Sequence, residues 1–465
     1  MKIEKSSFRD NSGFIFYHKG EIFRAITFSY KDNYDHLIKS GLYNYLVEEK
    51  LLIPHSIERL ETLREEVSSY KSDAKIYKVI QPDKIDFISY PYEWCFSQLK
   101  DAALTTLKIQ KAALKYGMTL KDSSAYNIQF FRGRPIFIDT LSFEIVNDGE
   151  PWQAYNQFCK NFLVPLALAA FSDVRLNLML MNFIDGIPLD LAVKILRKKA
   201  FLNPGVFVHL YLHNKFQLRY SDKEESLSVK KKWMSKEALL RLVGNLETTI
   251  NKLRLKKNKT KWSNYYSDAH HSTTYLKDKK EIVKSYIEKV KPNRVIDLGA
   301  NDGEFSKLAA ESSRIVFAYD SDPYCIEMCY NHTKQNNILN ILPLIVDLAN
   351  PSPSIGWSNS ERSSILERSN ADLVLALAII HHLCISNNVP FNLLADFFEK
   401  IGDWLIMEFI PKNDPMVKKL LLHRKDIFEN YNVEIFESEF LKYFSIIEYK
   451  KVSGTGRIIY LMKKI

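Results

Sequence analysis

The clearest structural signal of the C-terminal half is the segment Val295-Ile296-Asp297-Leu298-Gly299-Ala300-Asn301-Asp302-Gly303-Glu304-Phe305-Ser306. An apolar strand runs into an acid and then into a turn that carries two glycines. The pattern predicts a helix that begins near Glu304. A strand, a glycine turn and a helix in this order form a β-turn-α unit, in which the missing side chains let a small molecule lie against the backbone. The sequence therefore predicts a pocket of the nucleotide-binding type.

The residues around this turn restrict which ligand the pocket accepts. A triphosphate-binding loop needs a Lys-Ser or Lys-Thr pair after its last glycine, whereas Glu304 and Phe305 stand there. The dinucleotide fingerprint spaces its glycines G-x-G-x-x-G, and the spacing here is different. Acids at Asp297, Asp302 and Glu304 disfavour a polyanion near the turn. The pattern favours a cationic ligand or a neutral nucleoside.

The same residues resemble the first motif of the class I S-adenosylmethionine-dependent methyltransferases, which reads acid-x-Gly-x-Gly-x-Gly after the first strand. Asp297, Gly299, Asn301 and Gly303 match the motif, with Asn301 in place of its middle glycine. Asn accepts a left-handed backbone more readily than most residues do. The resemblance implies a doubly wound, Rossmann-like α/β sheet over residues 281–465, with S-adenosylmethionine as the cofactor that these four residues bind.

Four later apolar segments follow in the order that such a sheet requires. They are residues 314–319, which run into Asp320; residues 341–346, which run into Asp347; residues 372–378, which lead to His381 and His382; and residues 404–407, which run into Glu408. Ligands of open α/β sheets bind at the carboxyl ends of the strands. By resemblance, Asp320 contacts the ribose hydroxyls and Asp347 lies near the adenine amine. The competing interpretation is that these acids cap helices or lie in solvated loops.

The two histidines after the fourth of these strands are candidate catalytic groups. The resemblance places this segment beside the transferred methyl group, and histidine titrates in the range that a general base needs. His381 or His382 is therefore the candidate base, and Glu408 is the candidate group that orients the acceptor. A histidine that only closes the pocket by hydrogen bonding is the alternative. Zinc binding at His381, His382 and Cys384 is not expected, because no second ligand pair has metal spacing.

The N-terminal half begins with patterns of a mixed α+β domain. Residues 13–29 alternate around Gly20 and predict a β-hairpin. Residues 34–49 and 96–116 predict helices, and residues 85–94 predict a strand that leads into a hinge. A small mixed lobe, a hinge and a helical lobe follow one another in this order.

Three polar residues after the second helix resemble the catalytic and metal-binding loops of the protein-kinase-like and aminoglycoside-phosphotransferase-like fold. The resemblance implies a kinase-like, two-lobed domain over residues 1–220, with Asp122 as the catalytic acid and Asn127 and Asp139 as Mg²⁺ ligands. ATP and Mg²⁺ are its cofactors if this half is active. The sequence departs from the pattern in four places. Leu120 stands where the pattern has a His two residues before the catalytic Asp, and Thr140-Leu141 follow Asp139 in place of Phe-Gly. Residues 1–60 contain no glycine-rich phosphate loop, and Arg24 is the only charged candidate for the strand lysine. Turn residues without a chemical role are the alternative.

Length and charge restrict the class of protein further. A chain of 465 residues with 46% hydrophobic residues indicates two or three globular domains. The formal net charge is +10, and residues 221–262 hold twelve Lys or Arg against five acids. Apolar residues from 235 to 253 keep helical spacing, which predicts a packed helix with a basic outer face. We predict a basic helical linker over residues 221–280, with residues 262–271 as a candidate lid.

The sequence also bears on the compartment. It has no apolar N-terminal segment typical of a signal peptide, and its longest apolar run, residues 162–171, is well short of the roughly 20 residues that span a bilayer. Five cysteines without a C-x-x-C pair indicate a reducing environment. We expect a cytoplasmic protein without a membrane span.

Together these patterns predict a methyltransferase that acts on a small molecule or a glycan, with the kinase-like half positioning that acceptor. The arrangement of the two halves is similar to bacterial methyltransferase-like proteins of nodulation or surface-glycan loci. One alternative is a bifunctional protein whose N-terminal half is an active ATP-dependent phosphotransferase. A weaker alternative is an RNA methyltransferase that uses the basic segment, although no aromatic and basic residues alternate there as they do in base-stacking surfaces.

Overall fold

The computed structural model describes residues 1–57, 61–70, 75–221, 234–256, 273–422 and 425–465. The chain forms two compact units. The first consists of Met1–Lys256 and Ser354–Arg362, and the second of Lys257–Pro353 and Ser363–Ile465. The division into residues 1–220, 221–280 and 281–465 stays a prediction, because two parts of the predicted linker, residues 222–233 and 257–272, and with them the whole candidate lid, lie outside the described residues.

A seven-stranded sheet forms the centre of the second unit. Its strands in chain order are β10 (Arg294–Leu298), β11 (Ile315–Asp320), β12 (Ile341–Ile345), β13 (Ala371–Ala376), β14 (Gly402–Phe409), β15 (Phe444–Lys451) and β16 (Ile458–Lys464). The spatial order is β12-β11-β10-β13-β14-β16-β15. The first five are parallel, and β16 pairs antiparallel with both β14 and β15. The predicted doubly wound, Rossmann-like sheet is confirmed.

Helices cover this sheet, as parallel strands require, because each crossover must bury both faces of its strand. They are α12 (Thr273–Val290), α13 (Glu304–Ala310), α14 (Pro323–Gln335), α15 (Ile365–Arg368), α16 (Phe391–Ile401), α17 (Pro415–Leu421) and α18 (Val433–Phe440). The core includes Tyr286 of α12, Phe305 of α13 and Leu373 of β13. The helix predicted to begin near Glu304 is confirmed as α13.

The sheet topology brings the predicted acids to one edge. β10 lies between β11 and β13, and Asp297 in it is paired with Ala318 and Leu375. Asp320 ends β11, and Glu408 lies near the end of β14. Because these strands are parallel, their carboxyl ends meet at the same edge, where an open α/β sheet binds its ligand.

The first unit begins with a five-stranded antiparallel sheet. Its strands are β1 (Lys2–Ile3), β2 (Gly13–His18), β3 (Glu21–Thr27), β4 (His55–Ser56) and β5 (Ile76–Pro82), in the order β1-β2-β3-β5-β4. The predicted hairpin is confirmed as β2 and β3, joined by Lys19 and Gly20, which both have positive φ. The strand predicted at residues 85–94 is wrong. The strand lies earlier, because Ile76–Pro82 pairs with β3, whereas the backbone N–H of Ser89 donates to the side chain of Gln129.

The rest of the first unit is mainly helical, which confirms the α+β prediction for the N-terminal half. Its helices are α1 (Lys31–Lys39), α2 (Leu42–Glu48), α3 (Glu61–Tyr70), α4 (Phe96–Lys115), α5 (Tyr155–Phe158), α6 (Val164–Phe171), α7 (Met179–Asn182), α8 (Leu189–Ile195), α9 (Pro204–Val206), α10 (His213–Ser221) and α11 (Lys236–Lys252). Two short hairpin-like sheets pair β6 (Met118–Leu120) with β9 (Phe143–Ile145) and β7 (Ile128–Phe131) with β8 (Arg134–Phe137). The predicted helices at 96–116 and 235–253 are confirmed as α4 and α11. The one predicted at 34–49 is divided by Gly41, whose φ is 85°.

No helix in the described ranges combines the length and the apolar character that crossing a bilayer demands.

The glycine at the end of the central turn gives the first testable prediction. Gly303 has φ +85°, and a Cβ there would come within 2.5 Å of Cys329 Sγ. We expect Gly303→Ala to lower the free energy of unfolding by about 2–4 kcal/mol, through left-handed strain and overpacking. Gly454 is the matched control, since its φ is +70° and a Cβ there would meet nothing within 4 Å. Gly454→Ala should cost only the strain, about 1–2 kcal/mol.

Urea denaturation of the full chain measures both variants. The double variant Gly303→Ala/Cys329→Ala should recover part of the loss, because it removes the sulfur that the new methyl group meets. Equal losses for Gly303→Ala and Gly454→Ala would contradict the close packing of the turn against α14.

Candidate functional site

The glycine turn after β10 is held in a left-handed conformation. Gly299, Asn301 and Gly303 have φ values of 74°, 53° and 85°. The backbone N–H groups of Gly299 and Ala300 donate to the carbonyl oxygen of Tyr319, at 2.8 and 2.9 Å. A Cβ at Gly299 would lie 2.9 Å from Cδ1 of Ile379. The turn therefore needs its glycines, and Asn301 supplies the left-handed residue that the motif usually gives to glycine.

Asp320 fixes this turn from the neighbouring strand. Its carboxylate accepts hydrogen bonds from the backbone N–H groups of Asn301 and Asp322, each at 2.8 Å. Burial raises the pKa of Asp320 to about 6. Two backbone donors stabilise the ionised form, but the burial of the group has the larger effect. Asp320 thus lies beside the predicted cofactor turn and shapes it.

Asp297 lies in β10 and is also buried. Its carboxylate accepts a hydrogen bond of 2.6 Å from Ser306 Oγ, in the first turn of α13. Burial raises the pKa of Asp297 to about 6, although the ammonium of Lys279 acts in the opposite direction. A cation in this pocket would be stabilised by Asp297 and Asp320, which at neutral pH carry buried negative charge.

Asp347 differs from the other predicted cofactor residues. It follows β12 and is exposed, and its carboxylate accepts a hydrogen bond of 2.9 Å from the backbone N–H of Ala349. The chain reaches it through Val346, whose N–H donates to the carbonyl oxygen of Asp320. Its predicted role near an adenine amine stays a prediction.

The two predicted catalytic histidines follow β13 after a strained residue. Ala378 has φ 55°, a left-handed conformation that costs a non-glycine residue about 1–2 kcal/mol. The His381 side chain is 0% exposed, and neither of its ring nitrogens has a hydrogen-bond partner within the described part of the chain. Burial lowers its pKa well below 6.5, and His382, Arg457 and Lys279 act in the same direction. His381 is therefore a buried, neutral imidazole whose hydrogen-bonding capacity the described residues leave unused.

His382 is less enclosed than His381. The centroids of the two rings are 4.1 Å apart. Burial lowers the pKa of His382 to about 4. Both histidines are thus neutral at physiological pH, and of the two, His381 is the one whose buried ring nitrogens have no partner among the described residues.

Glu408 is the centre of a buried network of charged groups. Its carboxylate accepts hydrogen bonds from Lys279 Nζ at 2.7 Å and from the Tyr275 hydroxyl at 3.0 Å. Arg457 contacts the same carboxylate at 3.5 Å, donates to Tyr275 at 2.6 Å, and forms two hydrogen bonds to Asp414 at 2.8 and 3.2 Å. Burial would raise the pKa of Glu408, but Lys279 and Arg457 lower it below its usual value. Glu408 is therefore a permanent anion with three partners.

Sequence reasoning missed four members of this network, Tyr275, Lys279, Asp414 and Arg457. All four are buried. Lys279 Nζ also lies 4.8 Å from the ring centroid of Phe305, in the helix that follows the glycine turn. Tyr275 and Lys279 are four residues apart, so they share one face of α12. That spacing is the one sequence feature that links these two residues. No sequence pattern around Asp414 or Arg457 indicates that these residues belong to a buried network.

The kinase-like residues lie in the first unit, and Asp139 there has several partners. Arg24 of β3 forms an ion pair with Asp139, and Ser142 Oγ and the backbone N–H of Leu141 also donate to it. Burial would raise the pKa of Asp139, but Arg24 and these hydrogen bonds outweigh burial and lower it. The group that the resemblance implies as a metal ligand is thus paired with an arginine.

Asp122 and Asn127 lie close to Asp139. Burial raises the pKa of Asp122, against a hydrogen bond from the backbone N–H of Ser124 at 2.9 Å. The Asn127 side chain donates to Ser142 Oγ at 3.2 Å. In the described ranges, no three His, Cys, Asp or Glu side chains are grouped so that they could hold a metal ion. The roles of Asp122 in catalysis and of Asn127 and Asp139 in Mg²⁺ binding stay predictions.

A short segment from the C-terminal half of the sequence packs with the first unit. Ser354–Arg362 belongs to it, and Glu361 there forms a two-point ion pair with Arg9, in the loop between β1 and β2. The guanidinium of Arg362 lies 4.5 Å from the ring centroid of Tyr126. Lys121 donates to Ser12 Oγ at 2.6 Å in the same loop. Arg9 and Ser12 of this loop are therefore both held by side chains from other parts of the first unit.

Comparison with known proteins adds the following. No protein-family model matches the chain. Among curated proteins, the nodulation protein NoeA of Rhizobium meliloti (strain 1021) is 33% identical over 469 residues, which cover 98% of this chain and 95% of NoeA. Among solved structures, the N-methyltransferase NodS of Bradyrhizobium japonicum WM9 is 10% identical and covers 42% of this chain and 98% of its own, with a TM-score of 0.32. The bifunctional kinase-methyltransferase WbdD is 15% identical and covers 47% of this chain and 46% of its own, with a TM-score of 0.31.

Asp297 gives a prediction about stability and pH. Its folded-state pKa is raised from 3.8 to about 6, so the folded protein holds this proton more tightly than the unfolded chain does. The contribution favours folding below about pH 4 and is lost as the pH rises through 6. We expect Asp297→Asn, which keeps an acceptor for Ser306 and carries no charge, to raise the free energy of unfolding at pH 7.5 by about 2 kcal/mol.

Urea denaturation at pH 5 and pH 7.5 measures this difference. The gain from Asp297→Asn should be larger at pH 7.5 than at pH 5. Asp403→Asn, at an exposed position of β14, serves as the control and should give no such difference. A gain that is the same at both pH values would contradict the raised pKa.

Proposed function

The chain belongs to the family of the nodulation protein NoeA, and we propose that its C-terminal half is an S-adenosylmethionine-dependent methyltransferase. The proposed acceptor is a small molecule or a glycan, in line with the nodulation and surface-glycan proteins that the arrangement of the two halves resembles. The proposed role of the N-terminal half is to hold that acceptor.

One observation carries the proposal. The left-handed turn Gly299–Gly303 lies at the ligand-binding edge of a sheet ordered β12-β11-β10-β13-β14-β16-β15, and the Asp320 carboxylate accepts the N–H of Asn301 in that turn. This arrangement joins an open backbone surface to two buried acids. It suits a nucleoside that carries a positive charge better than it suits a polyphosphate.

The residues present fit this cofactor. Glycines stand where side chains would clash with Ile379 and Cys329. The buried acid Asp297 suits the positive ammonium group of the cofactor, and Asp320 suits its ribose hydroxyls, as the resemblance implies. Gly299, Asn301 and Gly303 are the proposed surface on which the cofactor lies. When bound, S-adenosylmethionine supplies a methyl group that is already activated for displacement.

The task left to the protein is to orient the acceptor and to remove its proton. His381 has two ring nitrogens without partners in the described part of the chain, and its low pKa keeps the ring neutral. We assign it the role of general base: as the acceptor oxygen or nitrogen bonds to the methyl carbon, a ring nitrogen of His381 takes the proton that the acceptor releases. The bound cofactor would supply the methyl group and would keep the electron pair of its carbon–sulfur bond.

Glu408 has a different role in this proposal. Because Lys279, Tyr275 and Arg457 occupy its carboxylate and lower its pKa, it does not exchange protons in the working range of pH. It orients the acceptor indirectly, by fixing the groups that line the site.

The N-terminal half is proposed to bind rather than to transfer phosphate. A metal ion at Asp139 would have to displace Arg24, which is paired with that carboxylate inside the unit. The two side chains are 15% and 14% exposed, so solvent screens their ion pair only weakly. The pairing of Arg24 with Asp139 therefore favours a kinase-like domain that holds a ligand without Mg²⁺ chemistry.

Calorimetric titration of the full chain tests the cofactor. We expect S-adenosylmethionine to bind the wild type, and Asp320→Ala to lose at least tenfold in affinity, because a charge-assisted hydrogen bond is worth roughly 1.5–3 kcal/mol. Asp403→Asn should bind as the wild type does. A parallel titration with ATP and Mg²⁺ on the wild type and Asp139→Ala should show no binding that depends on Asp139.

The opposite pair of results would replace the proposal. ATP binding that needs Mg²⁺ and Asp139, together with no binding of S-adenosylmethionine, would identify the chain as a phosphotransferase. ATP and S-adenosylmethionine binding at separate, separately mutable sites would establish the bifunctional alternative.

Transfer of a tritiated methyl group tests the base. With extracts of cells that carry the protein as the source of acceptor, label should enter the small-molecule or polysaccharide fraction. His381→Gln should reduce the rate by about 100-fold or more while the affinity for S-adenosylmethionine stays unchanged, and His382→Gln should have a small effect. Equal losses for the two variants would contradict the assignment of His381, and label in a nuclease-sensitive fraction would point to RNA as the acceptor.

A further inference from the structure

Lys279 is a fully buried ammonium group that its protein contacts satisfy only in part. Its side chain is 0% exposed. A lysine carries three N–H donors, and within the described ranges the Glu408 carboxylate, at 2.7 Å, is the one acceptor that Lys279 meets. Its other close neighbours are the rings of Phe305 and Tyr275, at 4.8 and 6.0 Å from their centroids. Two donors of a buried cation are thus left for a ligand.

The position of Lys279 relates it to the glycine turn. Phe305, over which the ammonium lies, is the second residue of α13 and follows Gly303 by two positions. The next residue, Ser306, holds the carboxylate of Asp297 at 2.6 Å. Lys279 and Asp297 also act on each other electrostatically. A buried cation and a buried anion therefore contact two consecutive residues at the start of α13, the helix that follows the turn.

This pair of charges matches one part of the proposed cofactor. The methionyl end of S-adenosylmethionine is a zwitterion with one ammonium and one carboxylate. Asp297 suits the ammonium, and the free donors of Lys279 suit the carboxylate. The paired neighbours of Lys279 do not compete for this carboxylate, because Arg457 already binds Asp414 through two hydrogen bonds.

We propose that Lys279 binds the carboxylate of the methionyl group of S-adenosylmethionine. This inference rests on the proposed function, and it assigns to the cofactor site a residue outside the glycine turn and the strand ends. Glu408 then holds Lys279 in place, and α12 is the helix that covers the methionyl end of the cofactor.

Decarboxylated S-adenosylmethionine tests this proposal, because it lacks only the carboxylate. By calorimetry, the wild type should bind S-adenosylmethionine at least tenfold more tightly than the decarboxylated compound. Lys279→Gln should lose this preference by weakening S-adenosylmethionine alone, and it should leave the affinity for the decarboxylated compound within about twofold of the wild type. Lys284→Gln, one turn further along α12 and paired with Glu311 at its surface, should behave as the wild type does.

A second variant covers the case in which Lys279→Gln does not fold. Lys279→Met/Glu408→Gln removes both charges of the buried pair, so no unpaired ion is left, and it should show the same selective loss. Equal weakening of the two ligands in either variant would overturn the proposal and leave Lys279 as a structural partner of Glu408. An unchanged preference for S-adenosylmethionine would overturn it as well. Failure of the wild type to bind either compound would instead reject the proposed function.

Discussion

The buried carboxylate of Glu408 constrains the ligand edge of the second unit. Removing an ion from water costs several kcal/mol unless other charges and hydrogen bonds compensate it. Glu408 is compensated from two elements that lie far from it in sequence, α12 through Tyr275 and Lys279, and the loop before β16 through Arg457. Arg457 in turn depends on Asp414. The Glu408 carboxylate thus ties α12 to β14, in addition to the apolar packing of α12 in the core.

The central part of the site was predictable because its signals are local. The glycine turn requires left-handed residues at fixed spacing, and short apolar runs mark buried parallel strands whose carboxyl ends meet at one edge. Lys279 could not be predicted in the same way. It stands between Lys277 and Lys280 on an amphipathic helix, a pattern typical of a solvated face, and its partner Glu408 lies 129 residues further along the chain. Only the tertiary structure shows that this lysine points into the interior.

In the N-terminal half, too, contacts between residues far apart in the chain could not be predicted from the sequence. Its first hairpin follows from alternation around Lys19 and Gly20, whereas the predicted strand at 85–94 failed because hydrogen bonding from Ser89 to Gln129 replaces a strand ladder there. The contribution of Ser354–Arg362 to this unit has no local signal at all. Its contact with Arg9 depends on a single buried carboxylate, Glu361, whose partner is 352 residues away.

The two candidate sites differ in where the protein leaves polar groups uncompensated. In the second unit, burial disfavours the charged forms of Asp297, Asp320 and His381, and the ring nitrogens of His381 have no partner in the described part of the chain. Such groups reduce stability, and their cost is offset when a ligand of matching charge binds. In the first unit, Asp139 is compensated by Arg24, Ser142 and the Leu141 backbone, so that its pKa is lowered instead. Asp139 therefore has less to gain from a metal ion than the buried groups of the second unit have from a ligand of matching charge.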